Sequence, residues 1–280
     1  MSYTILVALD ESAWSQAALT CALRIAARAP AEIELIGLHV INVTHITGQL
    51  LHDVAGMLGF EPVVVPEQVE AMYRKRGERM LEGFTTLCVA HGVRGRAVLE
   101  QGAVVRTVLQ HAARCDLVVL GARGETEETY VGQGGSTMEQ VARRSPTSVL
   151  VVNREAPQFN GVTVGYDGSD GANLALREVR RLVELLKIPV AVWYVADGRR
   201  PPGHDPTEEA ARYLEEKGIT VTHGVVEGEA HEALVVQAGD AQHDVLALGY
   251  RGRSLLKELV LGRVTERLLG QLAMAVFVAH

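Results

Sequence analysis

Two stretches decide the fold: "YTILVALDESAWSQAALTCALRIAARA", Tyr3 to Ala29, and "GVTVGYDGSDGANLALREVRRLVELL", Gly161 to Leu186. Each opens with a β-branched apolar run, reaches an Asp, makes a small-polar turn and enters a segment with apolar residues every three to four positions. That is a strand followed by an amphipathic helix. Asp10 matches Asp167, an offset of 157 (167 − 10). Further along, "EQGAVVRTVLQHAARCDLVVLGARG" matches "VEGEAHEALVVQAGDAQHDVLALGYRG", pairing Gly102 with Gly228, Asp116 with Asp244 and Gly121 with Gly249. The chain is written twice, and an internal repeat fixes the architecture before any single element does.

Strands are expected near Thr4–Leu9, Ile33–Val40, Arg94–Glu100, Leu117–Leu120 and Ser148–Val152. In the second half they fall near Val162–Tyr166, Val190–Val195, Thr220–Val226, Val245–Leu248 and Ala275–Val278. Near-continuous apolar strands alternating with helices predict an α/β fold, with parallel sheets covered on both faces. The expectation is two tandem doubly wound five-stranded sheets of order 3-2-1-4-5. The first domain spans 1–154 and the second, shorter one 160–280, joined by the linker "NREAPQFNG". The second strands pair at Val40 and Val195, an offset of 155 (195 − 40), so the residues missing from the second half lie mainly after Val195. The first half carries an extra segment there, about 42–66, whose Ile46, Leu50, Leu51, Val54 and Leu58 form one apolar face. It leaves the tip of strand two, and we expect it over or beside the crevice, as a lid or a subunit contact.

The chain has 280 residues, 48% of them hydrophobic, which suits two domains, and a formal charge of −7, which lacks the basic footprint of a nonspecific nucleic-acid binder. Its three cysteines, Cys21, Cys88 and Cys115, form no CxxC pair and read as core thiols of a reducing compartment. The N-terminus enters an apolar run without a charged leader, and no run nears the ~20 apolar residues of a membrane helix. A cytoplasmic protein without nucleic-acid or membrane partners is the expectation.

In a doubly wound sheet, ligands bind beyond the carboxyl ends of the strands, where the order reverses between strands one and four. Strand one ends at Asp10 or Asp167, and strand four at Gly121 or Gly249. "LGARGETEETYVGQGGST" (Leu120–Thr137) and "LGYRGRSLLKELVLGRVT" (Leu248–Thr265) leave strand four through repeated glycines. Glycine there allows close ligand approach and positive φ. The later glycines open a helix whose N-terminal N–H groups attract phosphate, with Ser136, Thr137 or Thr265 adding a hydroxyl. A carboxylate at the tip of strand one would face ribose hydroxyls. Alternatively, Asp10 and Asp167 help cap the first helices beside Ser12 and Ser169.

These residues resemble the universal stress protein family in its tandem two-domain form. Its ATP-binding members carry G-x2-G-x9-G-(S/T) after strand four and an Asp at the end of strand one. Gly249, Gly252 and Gly262 fit that spacing, with Arg263 in place of the hydroxyl, followed by Val264 and Thr265. Gly121, Gly124 and Gly134 fit in the first half, where Gly135-Ser136 supplies the glycine-hydroxyl pair one residue late. The resemblance implies a nucleotide-regulated stress-response module that binds ATP with Mg as companion ion. It also implies Val40 and Val195 as ligand contacts, the last strands meeting in an internal pseudo-dimer, and further assembly into a homodimer. A ligand-independent scaffold and a slow ATPase are the alternatives.

No catalytic set stands out. His39, at the tip of strand two, reads as packing or a ligand contact, with a general-base role as the sharper option. His45 and His52 read as a solvated helix face rather than a metal site, and "ETEET" (Glu125–Thr129) as a solvated loop, with a metal-bridging role as the sharper option. "RGERMLEGF" reads as amphipathic helix. The basic residues Arg251, Arg253, Lys257 and Arg263, against Glu125, Glu127 and Glu128 in the first copy, favour the second half for a triphosphate.

Overall fold

The computed structural model describes residues 3–42, 67–124, 136–196, 205–250, 262–271 and 273–280. The first half runs β1 (Tyr3–Ala8), α1 (Ala13–Arg28), β2 (Ile33–Ile41), α2 (Glu67–Ala90), β3 (Arg94–Gln101), α3 (Val104–Ala112), β4 (Leu117–Gly121), α4 (Thr137–Arg144) and β5 (Ser148–Val152). The second runs β6 (Val162–Gly165), α5 (Asp170–Leu186), β7 (Val190–Ala196), α6 (Thr207–Glu215), β8 (Val221–Glu227), α7 (Ala230–Asp240), β9 (Val245–Gly249), α8 (Arg263–Gln271) and β10 (Ala275–Ala279). Each half alternates strand and helix as its sequence predicts.

The strands form one ten-stranded sheet, β3-β2-β1-β4-β5-β10-β9-β6-β7-β8. Each half has the 3-2-1-4-5 order with parallel neighbours. The halves join where β5 and β10 pair antiparallel, with Leu150 opposite Phe277. Both seam strands, SVLVV and AVFVA, are buried throughout. Their apolar sequence, interrupted only by buried Ser148, follows, because helices cover both faces and the other half covers the edge.

The repeated turns repeat in structure. Ser12 caps α1 by accepting from Ser15 N–H, and Ser169 caps α5 by accepting from Ala172 N–H. Gly102 and Gly228, paired in sequence, both adopt positive φ, +154° and +137°. The buried positions of α4, Met138, Val141 and Ala142, correspond to Thr265, Leu268 and Leu269 of α8 at an offset of 127 (265 − 138). That offset sets Arg263 at the place of Ser136, and Val264 at that of Thr137.

The paired aspartates also acquire a role. Asp116 accepts from Thr4 N–H at 2.8 Å, and Asp244 accepts from Gln158, Phe159 and Asn160 N–H. Each carboxylate fastens the chain as it enters the first strand of its half. The extra segment lies, from residue 43 to 66, outside the described residues, and so do His45 and His52.

Candidate functional site

At the carboxyl ends of β1, β2 and β4 the first half holds a cavity of about 290 Å³. Its lining includes Asp10, Val40, Gly121, Gly124 and Thr137. These five come from four separate stretches of sequence, and the crossover between β1 and β4 brings them together. The β4 loop touches the β1 tip directly: a Cβ on Gly124 would lie 3.2 Å from Asp10 Oδ2, and Ser12 Oγ reaches Arg123 O at 3.4 Å.

Asp10 serves a local structural role as well. Its Oδ1 accepts from Ser12 N–H at 2.8 Å, and its own N–H donates to Ser15 Oγ at 2.9 Å. Asp167 repeats the first bond with Ser169 N–H at 3.0 Å. Both aspartates thus help shape the start of their helices.

Positive φ is not what calls for the glycine at the exit of strand four. Neither Gly121, Gly124 nor Gly249 has positive φ. A Cβ on Gly121 would lie 2.7 Å from the Trp14 backbone, and one on Gly249 2.3 Å from Gly171 O. Glycine is needed there because the first turn of α1, or of α5 in the second half, presses on the strand end.

The N-terminus of α4 is also occupied from within. Ser136 Oγ accepts from Glu139 N–H at 3.1 Å, and Glu139 Oε2 accepts from Ser136 N–H at 3.3 Å, a reciprocal capping box. A phosphate arriving here meets a carboxylate already in place. Thr137, half-buried one residue on, lines the cavity.

His39 belongs to the cavity wall. Its Nδ1 lies 2.8 Å from Leu9 O, so Nδ1 carries the proton and donates to that carbonyl. Gly77 makes room for the ring, since a Cβ there would stand 2.7 Å from His39 Cδ2. The remaining walls come from α2 and α3: Tyr73, Arg76, Met80, Val104 and Val108. Sequence reasoning passed over these. The "RGERMLEGF" helix is amphipathic as read, but its first turns face the cavity, and the 3–4 spacing of Tyr73, Arg76 and Met80 was the available signal. Arg76 pairs with Glu11, and its guanidinium holds that carboxyl below the usual carboxylate range. Arg123 lies over the Trp14 ring at 5.9 Å.

The sequence profile described as "Universal stress protein family" matches residues 1–153 and 158–280. The chain belongs to the universal stress protein family. Slr1230, a universal stress protein of Synechocystis, is 29% identical over 155 residues, which cover 55% of this chain and 54% of that protein. MJ0577, a universal stress protein of Methanocaldococcus jannaschii, is 37% identical over 62 residues, 22% of this chain and 38% of that one. The chain thus spans about half or less of these curated relatives. A crystal structure of a universal stress protein from Archaeoglobus fulgidus shares the fold over 99% of this chain and 95% of its own, at 20% identity and a TM-score of 0.74.

Within this universal stress protein the two halves differ at the corresponding crevice. In the second half, Leu248 Cδ2 and Leu234 Cδ1 would meet a Cβ on Gly165 at 2.6 and 2.8 Å. They cover the position equivalent to Ala8, which lines the first cavity. Trp193 stands where Leu38 lines it. Thr265 is 3% exposed, and its hydroxyl donates to Gly249 O at 3.2 Å. Gly262 N–H donates to Tyr250 O at 3.0 Å. Arg263 is exposed, and Val264 and Val195 are half-buried. Gly134, Gly135 and Gly252 lie outside the described residues, as do the glutamates of the first loop and Arg251, Arg253 and Lys257 of the second. Among the described residues no group of three or more His, Cys, Asp or Glu side chains could hold a metal ion, and no helix is long and apolar enough to cross a membrane.

Proposed function

We propose that this protein binds an adenine nucleotide, ATP with Mg as companion ion, and acts as a nucleotide-regulated stress-response module rather than a dedicated catalyst. The observation that carries this reading is the first-half cavity. Five residues selected by the family's ATP pattern and its strand-tip positions line one space of about 290 Å³, near the lower bound for small-molecule pockets. Apolar side chains such as Leu38, Val104 and Val108 suit a base, the Asp10 carboxylate suits ribose hydroxyls, and Gly124 with Thr137 suits the phosphate end.

Charge alone favours the second half, but the cavity described above lies in the first. In the second half Leu234 and Leu248 pack over Gly165, and Thr265 already spends its hydroxyl on Gly249. We therefore take the first half as the principal site. The capping glutamate Glu139 favours the ligand-independent alternative, because its carboxylate repels a phosphate at the same helix end. Mass spectrometry of the supernatant after denaturing freshly purified protein distinguishes the two. Retained adenine nucleotide supports the proposal; a nucleotide-free supernatant together with no uptake of added ATP supports the scaffold.

A further inference from the structure

The sheet ends at β3, whose only strand neighbour among the described residues is β2. The strand reads RGRAVLEQ and is largely exposed. Gly102 N–H donates to Ile41 O, and Ile41 is level with Gln101. In a parallel pair this alternation turns the even-numbered residues of β3 toward β2. Gly95, Ala97 and Leu99 then point their N–H and C=O groups away from the sheet. Such an edge is a template for another strand, and charged residues on it ordinarily deter pairing.

Here the charges are placed to attract. Arg96 and Glu100 lie two residues either side of Val98, on the same face, with side chains 59% and 46% exposed; within the chain Arg96 also lies 3.9 Å from Glu34 and Glu100 3.4 Å from His111. We propose that two copies of this protein associate through β3, antiparallel, about a twofold axis at Val98. Arg96 of each copy then stands opposite Glu100 of the other, twice, because a twofold contact is self-complementary. Val98 meets Val98 at the axis, and Ala97 exchanges main-chain bonds with Leu99 of the second copy. Shifting the axis to Ala97 would set Arg96 against Val98 and strand its charge on an apolar neighbour. The opposite edge of the sheet among the described residues, β8, reads VTHGVVE and has no arginine to match.

The same edge carries a groove of about 630 Å³ between α2 and β3, lined by Glu78, Leu81, Glu82, Thr85, Val89 and Ala97. Val89 is 75% exposed. The second copy's edge would cover this groove, giving the contact an apolar part that a single strand pair lacks.

The test is sedimentation equilibrium of the full chain across the micromolar range. We expect a reversible dimer. Arg96→Glu should weaken it about tenfold or more, since two attractive cross-strand pairs become repulsive, and Arg96→Glu with Glu100→Arg should restore it. Independently, Val98→Cys in a Cys115→Ser background should oxidise to a covalent dimer, because this non-hydrogen-bonded pair brings Cα atoms to about 4.5 Å. A monomer at every concentration, a dimer indifferent to Arg96→Glu, or trapping through Val225→Cys on β8 instead would each overturn the proposal.

Discussion

Gly121 and Gly124 look alike in sequence and differ in what they tolerate. At Gly121 a Cβ would meet the Trp14 backbone at 2.7 Å, and a backbone atom cannot rotate away. Gly121→Ala should therefore lower stability by about 2–3 kcal/mol, the cost of overpacking a close contact, measured by urea denaturation. At Gly124 the nearest atom is the Asp10 carboxylate oxygen at 3.2 Å, part of a half-buried side chain that can give by a few tenths of an ångström. Gly124→Val should fold near normally while filling the cavity mouth, which makes it the sharper probe of binding. The glycine pattern was legible in sequence, but not the physical reason for Gly121. That reason is a helix turn contributed by Trp14, more than a hundred residues earlier, and only packing reveals it.

At the scale of elements, the strands were legible almost to the residue. The apolar runs of the inner strands have no competing reading once the repeat is seen, and the polar edge strands β3 and β8 follow from their place in it. The walls of the cavity were not legible, because α2 supplies Tyr73, Arg76 and Met80 from a helix whose amphipathic pattern serves the core as well. The linker shows a similar gap. "NREAPQFNG" reads as punctuation, yet Asp244 gathers three consecutive N–H groups from Gln158, Phe159 and Asn160. Phe159 is held there at φ +62° with its ring buried. Asp244→Ala should cost about 1–2 kcal/mol, because it removes a charged acceptor from three N–H groups, two of which water can reach. Asp244→Asn, which keeps an acceptor oxygen, should cost less. Thermal unfolding of the two variants side by side measures the difference.

At the scale of the whole molecule, the halves are joined by more than the β5–β10 seam. Arg24 donates to Ala156 O and Pro157 O on one face, and Arg143 pairs with Glu266 at 3.4 Å on the other. His280 stacks on Tyr250 at 4.6 Å, and its Nε2 lies 2.7 Å from Ala142 O. This ties the end of β9 to the helix that borders the first cavity. Burial pushes the His280 imidazole below its usual 6.5, and burial does the same at His243 beside Thr163. The unfolded chain therefore takes up protons below about pH 6.5 that the folded chain resists. Stability contributed by these rings is complete above that pH and falls as pH drops through it toward the lower folded values. Melting temperatures from about pH 8 to pH 5 should decline on the acid side, and His280→Phe, which keeps the stack and removes the titration, should flatten the decline.

The central claim is that the first-half crevice binds ATP, and calorimetric titration of ATP with Mg into the wild type, Gly124→Val and Gly252→Val tests it most directly. The account predicts saturable binding by the wild type and a larger loss of affinity in Gly124→Val than in Gly252→Val. Binding that survives Gly124→Val and disappears in Gly252→Val would contradict it, and so would a wild type that releases no heat and retains no nucleotide.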